Sequence, residues 1–333
     1  MIYYLLRRLA GAVAVLVGVI TGTFVLEHVV PSCPACVIAG VGAGPAQLAA
    51  ATHEMGLDRP LWVQFQTYAE GLLHGDFGDS YITKQPIGPS IVSFLPATLE
   101  LVAYSFVLYA LLGIGSGLWM AWRGGHADAG AMRVVSMIGT ALPVFWFAMV
   151  LQLWLGSRLG WFPITGRLDV DPPATITGFY TIDSLLHGNF DAFGDSIRHL
   201  VLPVFSLVVW QFAIASRLTQ KSVSEELRLP YVRTAIAKGA AMPRIMFQHV
   251  LRNAINPVIT MLGLQFGWLL GGTVLVEVVF AWPGIGTFMY NSLQTFDFPA
   301  IIAVTVVITI AFVVVNLVVD LLYPIIDPRI RLT

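Results

Sequence analysis

Long apolar stretches recur along this chain, and polar segments separate them. A helix needs about 20 mostly apolar residues to cross roughly 30 Å of hydrocarbon, because it rises about 1.5 Å per residue. Arg7 and Arg8 precede the first stretch, as in a signal peptide, but the apolar run is too long for one, so we expect a retained span. We predict transmembrane helices over residues 9–30, 97–122, 134–155, 199–218, 254–280 and 300–323.

The composition supports a membrane protein. Hydrophobic residues make up 57% of the 333 residues and charged residues 11%, and the mean hydropathy is +0.78. A soluble core of this size does not need so much apolar surface, so we predict an all-α polytopic protein, with one transmembrane domain over residues 1–333. The net charge of −1 gives no argument for a nucleic-acid partner.

Lysine and arginine positions predict the orientation. With a cytosolic N-terminus, six spans return the C-terminus to the cytosol, and most basic residues lie on that side, as the positive-inside rule requires. Arg59, Lys84, Arg158, Arg167 and Arg198 are then the outer basic residues. The cytosolic ones are Arg7, Arg8, Arg123, Arg133, Arg217, Lys221, Arg228, Arg233, Lys238, Arg244, Arg252, Arg329 and Arg331.

The predicted outer segments, 31–96 and 156–198, are long and contain Gly, Asp and Pro typical of turns. Within the first, the spacing of apolar residues over 57–73 predicts a short helix, with Pro60 suited to its first turn. We expect this helix to lie on the outer face. Two interpretations stay open for these segments: a scaffold packed over the spans, and a docking face for an external protein.

Cys33 and Cys36 are the two cysteines of the chain, in the sequence PSCPAC just after the first span. On the outer side of a membrane we predict a local disulfide between them. A redox motif is the poorer interpretation because no βαβ pattern follows, and a zinc site needs more ligands than this spacing supplies. The sequence predicts no metal site.

The segment 225–260 is polar and basic, although it lies between two apolar runs. Pro230 favours the start of a short helix and Gly239 its end. Val232, Ala235, Ile236 and Gly239 follow the spacing of one apolar helix face. A helix of this length is not stable alone, so we expect flanking structure or a partner to hold it. Pro243 is placed to begin a second helix that leads to the fifth span.

These residues resemble the cytoplasmic loop of membrane-spanning subunits of ABC importers, most closely the dipeptide, oligopeptide and nickel group. The match is carried by YVRTAIAKGA at 231–240 and HVLRNAINPVIT at 249–260. It continues through HGDFGDSYITKQPI at 74–87, GGTVLVEVVFAWPGIGTFM at 271–289 and other motifs in order. Two departures are PSCPAC, where the group usually has a Pro-Gly-Asp-Pro type of sequence, and Pro230, where an Asp is commoner.

The resemblance implies a type I ABC importer permease fold whose short loop helix is the coupling helix, seated in a cleft of an ATPase subunit. Its residues are Tyr231, Val232, Arg233, Thr234, Ala235, Ile236, Ala237, Lys238, Gly239 and Ala240. We expect the apolar stripe to pack on one neighbour, and Arg233 and Lys238 to offer charge to the other.

The resemblance also implies the rest of a transporter: a second related permease, two ATP-binding subunits and an external substrate-binding protein, in a bacterial cytoplasmic (inner) membrane. ATP and Mg²⁺ would bind in the partner subunits, and no cofactor in this chain. Di- or oligopeptides are the expected substrates, with a nickel chelate or another small solute as the alternative.

The lysines independently support an external energy source. Lys84, Lys221 and Lys238 are the three lysines of the chain, and none follows a glycine, so there is no Gly-Lys of a P-loop. We therefore predict a transport subunit that is not an enzyme. A gradient-driven transporter or channel is the alternative, but the spans show no convincing internal repeat. No G-x-S-x-G or H-E-x-x-H sequence suggests an intramembrane enzyme.

Polar residues within the predicted spans have two interpretations. Such residues usually face a cavity or the protein interior, so Glu277, Gln265 and Gln211 are candidates for lining a pathway. Hydrogen bonding between helices is the competing interpretation. Glu277 is the strongest pathway candidate, because Gly271 and Gly272 precede it and the sequence PGIG follows.

Overall fold

The computed structural model describes residues 2–29, 34–39, 43–54, 56–124 and 126–326. Within them the regular elements are helices, apart from one β-bridge between Asp79 and Pro86. Two π-helical segments occur: Gln152–Arg158 follows α7, and Ile245–Val250 joins α11 to α12. The helices are α1 Ile2–Val29, α2 Pro34–Ala39, α3 Pro45–Glu54, α4 Leu61–Leu73, α5 Ile87–Trp122, α6 Ala127–Ala141, α7 Val144–Leu151, α8 Tyr180–Leu186, α9 Phe190–Glu226, α10 Pro230–Ala237, α11 Met242–Arg244, α12 Leu251–Val279, α13 Ile285–Gln294 and α14 Phe298–Ile326.

Five helical stretches are long and apolar enough to cross a membrane: Leu6–Val25, Ile87–Trp122, Phe190–Glu226, Met242–Val279 and Phe298–Val318. A sixth span results if α6 is counted together with α7 and its π-helical continuation. The prediction of an all-α polytopic membrane protein is therefore confirmed. Short helices in the first predicted outer segment, such as α4, also appear.

The predicted third span, 134–155, does not form one straight helix. Ala127–Ala141 and Val144–Arg158 meet at a bend of 105°. Pro143 precedes the second helix with an extended backbone, and Leu142 is extended as well. A residue before proline is driven out of the helical region, which explains the break at Leu142.

The described helices fall into two compact units. One comprises the described residues of 1–95 and 287–313, and the other comprises those of 96–286 and 314–326. We describe each unit by itself. The prediction of one transmembrane domain over the whole chain stays a prediction.

In the first unit, aromatic packing joins α4 to α1. The ring of Phe24 in α1 lies 5.3 Å from the ring of Phe65 and 6.0 Å from that of Tyr68, both on α4. A short buried hydrogen bond, 2.5 Å long, joins the Ser80 hydroxyl to the Asp297 carboxylate, which also accepts from the Tyr81 amide at 3.0 Å. These contacts bring the loop after α4 to the start of α14.

In the second unit, α9 packs against α5 through small residues. A Cβ added at Gly113 would lie 2.4 Å from the Cβ of Ala215, and one added at Gly117 would lie 2.5 Å from the Ser216 carbonyl oxygen. Ser116 and Ser216 join their hydroxyls at 2.6 Å in the same interface. Such small residues let helix backbones approach closely in a membrane, where apolar burial alone gives little reason to associate.

Candidate functional site

The short helix α10 has a clear beginning and end. Pro230 occupies its first position, where the missing N–H costs nothing. At its other end the Gly239 amide donates to the Ile236 carbonyl at 2.9 Å, and the Ala240 amide donates to the Ala235 carbonyl at 3.1 Å. This pair of bonds is a Schellman motif, and Gly239 supplies its left-handed residue with a φ of +77°.

One face of α10 packs inside the chain. Val232 is fully buried, in an apolar cluster with Leu118 of α5, Val223 of α9, and Ile245 and Val250 of the π-helical segment. Tyr231, Ala235 and Ala240 pack partly buried against the same cluster. Since α10 is too short to be stable alone, this cluster is what holds it in place.

The other face of α10 is not covered by any part of the chain that the structure describes. Its exposed residues are Arg233, Thr234, Ile236, Ala237, Lys238 and Gly239. The expectation that the whole apolar stripe packs on one neighbour is therefore wrong. Val232 and Ala235 face the cluster, whereas 54% of Ile236 is exposed and Gly239 is exposed too. The spacing identified the helix, but burial divides the stripe between two surfaces.

Hydrogen bonds tie α10 to both helices that flank it. The Tyr231 hydroxyl donates to the Glu226 carboxylate at the end of α9, at 2.5 Å. It accepts from the Asn253 side-chain amide of α12 at 3.2 Å. Burial and the Glu226 carboxylate both raise the pKa of the Tyr231 phenol, which stays protonated as the donor. The single hydroxyl of Tyr231 thus links α9, α10 and α12.

The entry into α12 is π-helical over Ile245–Val250. π-Helical turns are rare and often lie at functional sites. This segment also supplies Ile245, Met246 and Val250 to the apolar cluster beneath α10. A shift of α10 would therefore displace the side chains of the π-helical segment that leads into α12.

Glu277, the first candidate for lining a pathway, is fully enclosed within the chain. Its carboxylate accepts from the Thr98 hydroxyl at 2.6 Å, and that hydroxyl accepts from the Ile285 amide at 2.8 Å. A Cβ at Gly284 would lie only 2.5 Å from the carboxylate. In this conformation Glu277 anchors the turn between α12 and α13 to α5, which is the helix-bonding interpretation.

The other two pathway candidates differ in exposure. Gln211 in α9 is buried, and its side-chain oxygen has no hydrogen-bond partner among the described residues. Gln265 in α12 is half-buried, so of the three candidates it alone reaches a surface. A pathway role for these residues stays a prediction, and Gln265 is placed best for it.

A buried ion pair was missed by the sequence prediction. Arg167 donates to the Glu100 carboxylate at 2.5 Å and to the Gly178 carbonyl at 3.0 Å, and its guanidinium lies 3.8 Å from the centre of the Tyr180 ring. Thr181 completes the site, since its amide and hydroxyl both donate to Glu100. An acidic residue in an apolar run was the signal that a cation had to be near.

The predicted disulfide lies partly outside the described residues. Cys36 is in α2 and is disulfide-bonded, whereas Cys33 is not among the described residues. The pairing of Cys33 with Cys36 stays a prediction.

Two family profiles match adjacent parts of the chain. Residues 113–332 match the binding-protein-dependent transport system inner membrane component, and residues 1–102 match the N-terminal region of such membrane components. The chain belongs to this family of ABC importer permeases. The predicted resemblance is thus confirmed, and the gradient-driven alternative is wrong.

Individual relatives match this permease over nearly its whole length. The dipeptide transport system permease DppB of Alkalihalophilus pseudofirmus is 38% identical, over 99% of this chain and 100% of its own. The probable D,D-dipeptide transport system permease DdpB of Escherichia coli K12 is 42% identical over 97% and 96%. The glutathione transport system permease GsiC of Salmonella choleraesuis is 36% identical over 99% of each chain.

These relationships decide the role of the chain at a coarse level. The protein is an integral membrane permease subunit, and ATP is hydrolysed in partner subunits, as predicted. Family membership implies further subunits of an ABC transporter.

Proposed function

We propose that this permease forms half of the translocation pathway of an importer of di- or oligopeptides. The names of three relatives support the substrate class, since they are permeases for a dipeptide, a D,D-dipeptide and glutathione. Similarity over 96% or more of both chains in each case means that no major part of the relatives lacks a counterpart here. The other half of the pathway would be a second, related permease.

The exposed face of α10 is the proposed contact with an ATP-binding subunit, which would bind ATP with Mg²⁺. The observation that carries this proposal is the division of α10 into two faces. Val232 fastens one face to α5, α9 and the π-helical segment, while Arg233, Ile236 and Lys238 stay accessible on the other. Because only one face of α10 is packed inside the chain, a partner bound to the exposed face can displace α10 together with the helices attached to the buried face.

The mechanism follows from these attachments. ATP draws two ATP-binding subunits together, and each displaces the α10 helix that it holds. Because Tyr231 bonds to both Glu226 of α9 and Asn253 of α12, the displacement reaches two membrane helices at once. ATP favours one state of the pathway only if the ATP-bound partners bind that state of α10 more tightly.

The orientation of the permease belongs to the same proposal. The distribution of lysines and arginines supports cytosolic termini and a cytosolic α10 in a bacterial inner membrane. An external binding protein would then deliver the peptide to the opposite face, near the segments 31–96 and 156–198.

Uptake of a labelled dipeptide tests the substrate class. The permease is expressed with its partner subunits and binding protein in cells that lack other peptide importers. We expect accumulation of the dipeptide that unlabelled di- and tripeptides suppress and that a nickel chelate leaves unchanged. Accumulation of the nickel chelate without the dipeptide would overturn the peptide assignment while leaving the ABC permease assignment intact.

A further inference from the structure

Three side chains that the transport role does not use converge where the loop after Arg167 meets α9. They are Asp169 in the loop, and Asp195 and His199, one turn apart in α9. One ligand atom from each lies within 4.8 Å of the other two. His199 is buried, with 2% exposed, whereas the Asp169 side chain is 73% exposed.

One hydrogen bond of the His199 ring places a hydrogen on Nδ1. The ring Nδ1 lies 3.0 Å from the backbone carbonyl oxygen of Asp195. A carbonyl oxygen only accepts, so Nδ1 carries the hydrogen and donates. In the neutral imidazole, Nε2 then presents a lone pair.

That lone pair has no hydrogen-bond donor among the described residues. Nε2 is buried without a hydrogen bond, and it faces the Asp169 carboxylate oxygen Oδ1 at 3.5 Å. A lone pair and a carboxylate oxygen repel each other across this distance, and a buried polar atom rarely lacks a partner. A cation between the two atoms removes both problems.

We propose that Asp169, Asp195 and His199 bind a divalent transition-metal ion, with Zn²⁺ as the best match. Zn²⁺ binds imidazole nitrogen and carboxylate oxygen at about 2.0–2.2 Å, and two such ligands in tetrahedral geometry lie about 3.4 Å apart. The observed separation of 3.5 Å between Nε2 and Oδ1 fits this value. Imidazole also suits Zn²⁺ better than it suits Mg²⁺ or Ca²⁺.

The surroundings resemble those of a metal-binding histidine. Such a histidine usually donates its second ring N–H to a carboxylate or a backbone carbonyl, as His199 does to Asp195. The Asp195 Oδ2 accepts from the Asp169 amide at 2.6 Å, which holds the loop beside α9. The exposed Asp169 leaves a path for an ion to enter, and water would complete the coordination.

The ion would fasten the loop to α9. Asp169 lies two residues after Arg167, whose side chain is bonded to Glu100 in α5. With the metal bound, the same loop is held at α5 by Arg167 and at α9 by Asp169. The proposed site thus contributes to the rigidity of this part of the second unit, separately from α10.

Direct Zn²⁺ binding tests the proposal. The full chain, purified without a histidine tag and with both cysteines replaced by serine, is titrated with Zn²⁺ and assayed by calorimetry. We expect one Zn²⁺ per chain, with affinity lost in His199→Gln and weakened at least about 10-fold in Asp169→Asn. Asp171→Asn is the matched control, because Asp171 is exposed in the same loop but outside the cluster.

The Asp169→Asn variant keeps the test decisive if His199→Gln does not fold, because most of the Asp169 side chain is in solvent. Co²⁺ provides an independent readout, since its absorption spectrum reports nitrogen coordination. No Zn²⁺ bound by the unsubstituted chain, or equal affinity in Asp169→Asn and Asp171→Asn, would overturn the proposal.

Discussion

Tyr231 shows how one side-chain atom can connect a short helix to two long ones. Its hydroxyl donates to Glu226 and accepts from Asn253, while its ring packs on the apolar cluster beneath α10. Replacing Tyr231 with phenylalanine removes the two hydrogen bonds of the hydroxyl but keeps the ring on the apolar cluster. This substitution therefore tests the hydrogen bonds separately from the packing.

We expect Tyr231→Phe to weaken coupling more than folding. The lost bond to a charged carboxylate costs about 1–3 kcal/mol in the free energy of unfolding. ATP hydrolysis by the assembled transporter should continue, but several-fold fewer peptides should be imported per ATP. The measurement is uptake and ATPase activity in the same proteoliposomes, with Tyr290→Phe as the control. An unchanged ratio of uptake to hydrolysis would remove Tyr231 from the transmission.

Asp183 is a second residue with a large local effect. Its carboxylate accepts from the amides of Ile176, Thr177 and Gly178 and from the Thr177 hydroxyl. Burial by itself disfavours the charged carboxylate, but these hydrogen bonds outweigh it and lower the pKa of Asp183. The stabilisation is therefore present above the ordinary carboxyl pKa of about 3.9 and is lost as the pH falls through the lower folded value.

Replacing Asp183 with asparagine should destabilise the protein at neutral pH. In asparagine an NH2 group replaces one of the two carboxylate oxygens and cannot accept from the donors that face that oxygen, and each unsatisfied buried donor costs about 1–3 kcal/mol. Thermal unfolding measured from pH 3 to 7 should show a lower midpoint for Asp183→Asn at pH 7 and a smaller difference near pH 3. Asp171→Asn, at an exposed site, should follow the unsubstituted protein. Equal midpoints at pH 7 would contradict this role.

Exposure at the residue scale could be predicted only in part. The spacing of Val232, Ala235 and Ile236 predicted one face of a helix. It did not indicate which of these residues the rest of the chain would bury. Glu277 is likewise a polar residue within an apolar run, as expected of a pathway residue. Its carboxylate nevertheless accepts a hydrogen bond from the Thr98 hydroxyl, which in turn accepts from the Ile285 amide at the start of α13. Such outcomes depend on neighbours that are distant in sequence.

Among the helices, the contact of α5 with α9 offers a matched pair of glycines. A Cβ at Gly117 would lie 2.5 Å from both the Ser216 carbonyl oxygen and the Thr219 Cβ, whereas a Cβ at Gly115 would meet nothing within 4 Å. Both lie in the same helix, so their intrinsic cost of substitution is similar.

Gly117→Val should therefore destabilise the permease, and Gly115→Val should not. The added side chain at 117 would force the two backbones apart, with an overpacking cost of about 1–3 kcal/mol or more. Fluorescence-detected thermal unfolding in detergent compares the two variants with the unsubstituted chain. Equal midpoints for the two variants would show that α5 and α9 are not in close contact there.

The end of α10 depends on the backbone of Gly239. Its φ of +77° costs a residue with a Cβ about 1–2 kcal/mol, although a Cβ there would meet no atom within 4 Å. We expect Gly239→Trp to uncouple ATPase activity from uptake, because it both strains the turn and changes an exposed part of the coupling surface.

Gly239→Asn is the control for backbone strain, since asparagine tolerates the left-handed region. It should retain most of the coupling that Gly239→Trp loses, measured as peptide imported per ATP hydrolysed. Import at the parental rate by Gly239→Trp would show that the coupling loop is placed wrongly.

At the level of helices, the apolar runs predicted most of the long helices correctly, whereas the effect of a proline on helix continuity was overlooked. The apolar runs predicted the long helices, because spanning a membrane requires length and hydrophobicity in a continuous stretch. The bend between α6 and α7 was missed, although Leu142 before Pro143 carried the signal for it. The helix α4 was predicted from spacing and begins at Leu61, directly after Pro60.

For the whole molecule, the order of motifs along the chain was more informative than any single residue. The family and the transport role could be predicted because the motifs cover nearly the whole chain. The buried pair of Arg167 and Glu100 could not, because 67 residues separate its members and the loop around Arg167 has no periodicity. The position of a charge within a folded loop is decided by packing that sequence spacing does not encode.

The central claim is that the exposed face of α10 contacts an ATP-binding subunit. A photo-crosslinking amino acid placed at Ile236 in the assembled transporter tests it most directly, with Leu73 of α4, 85% exposed, as the control position. The account predicts a crosslink to the ATP-binding subunit from position 236 and none from position 73. A crosslink to that subunit from position 73 and none from position 236 would contradict it.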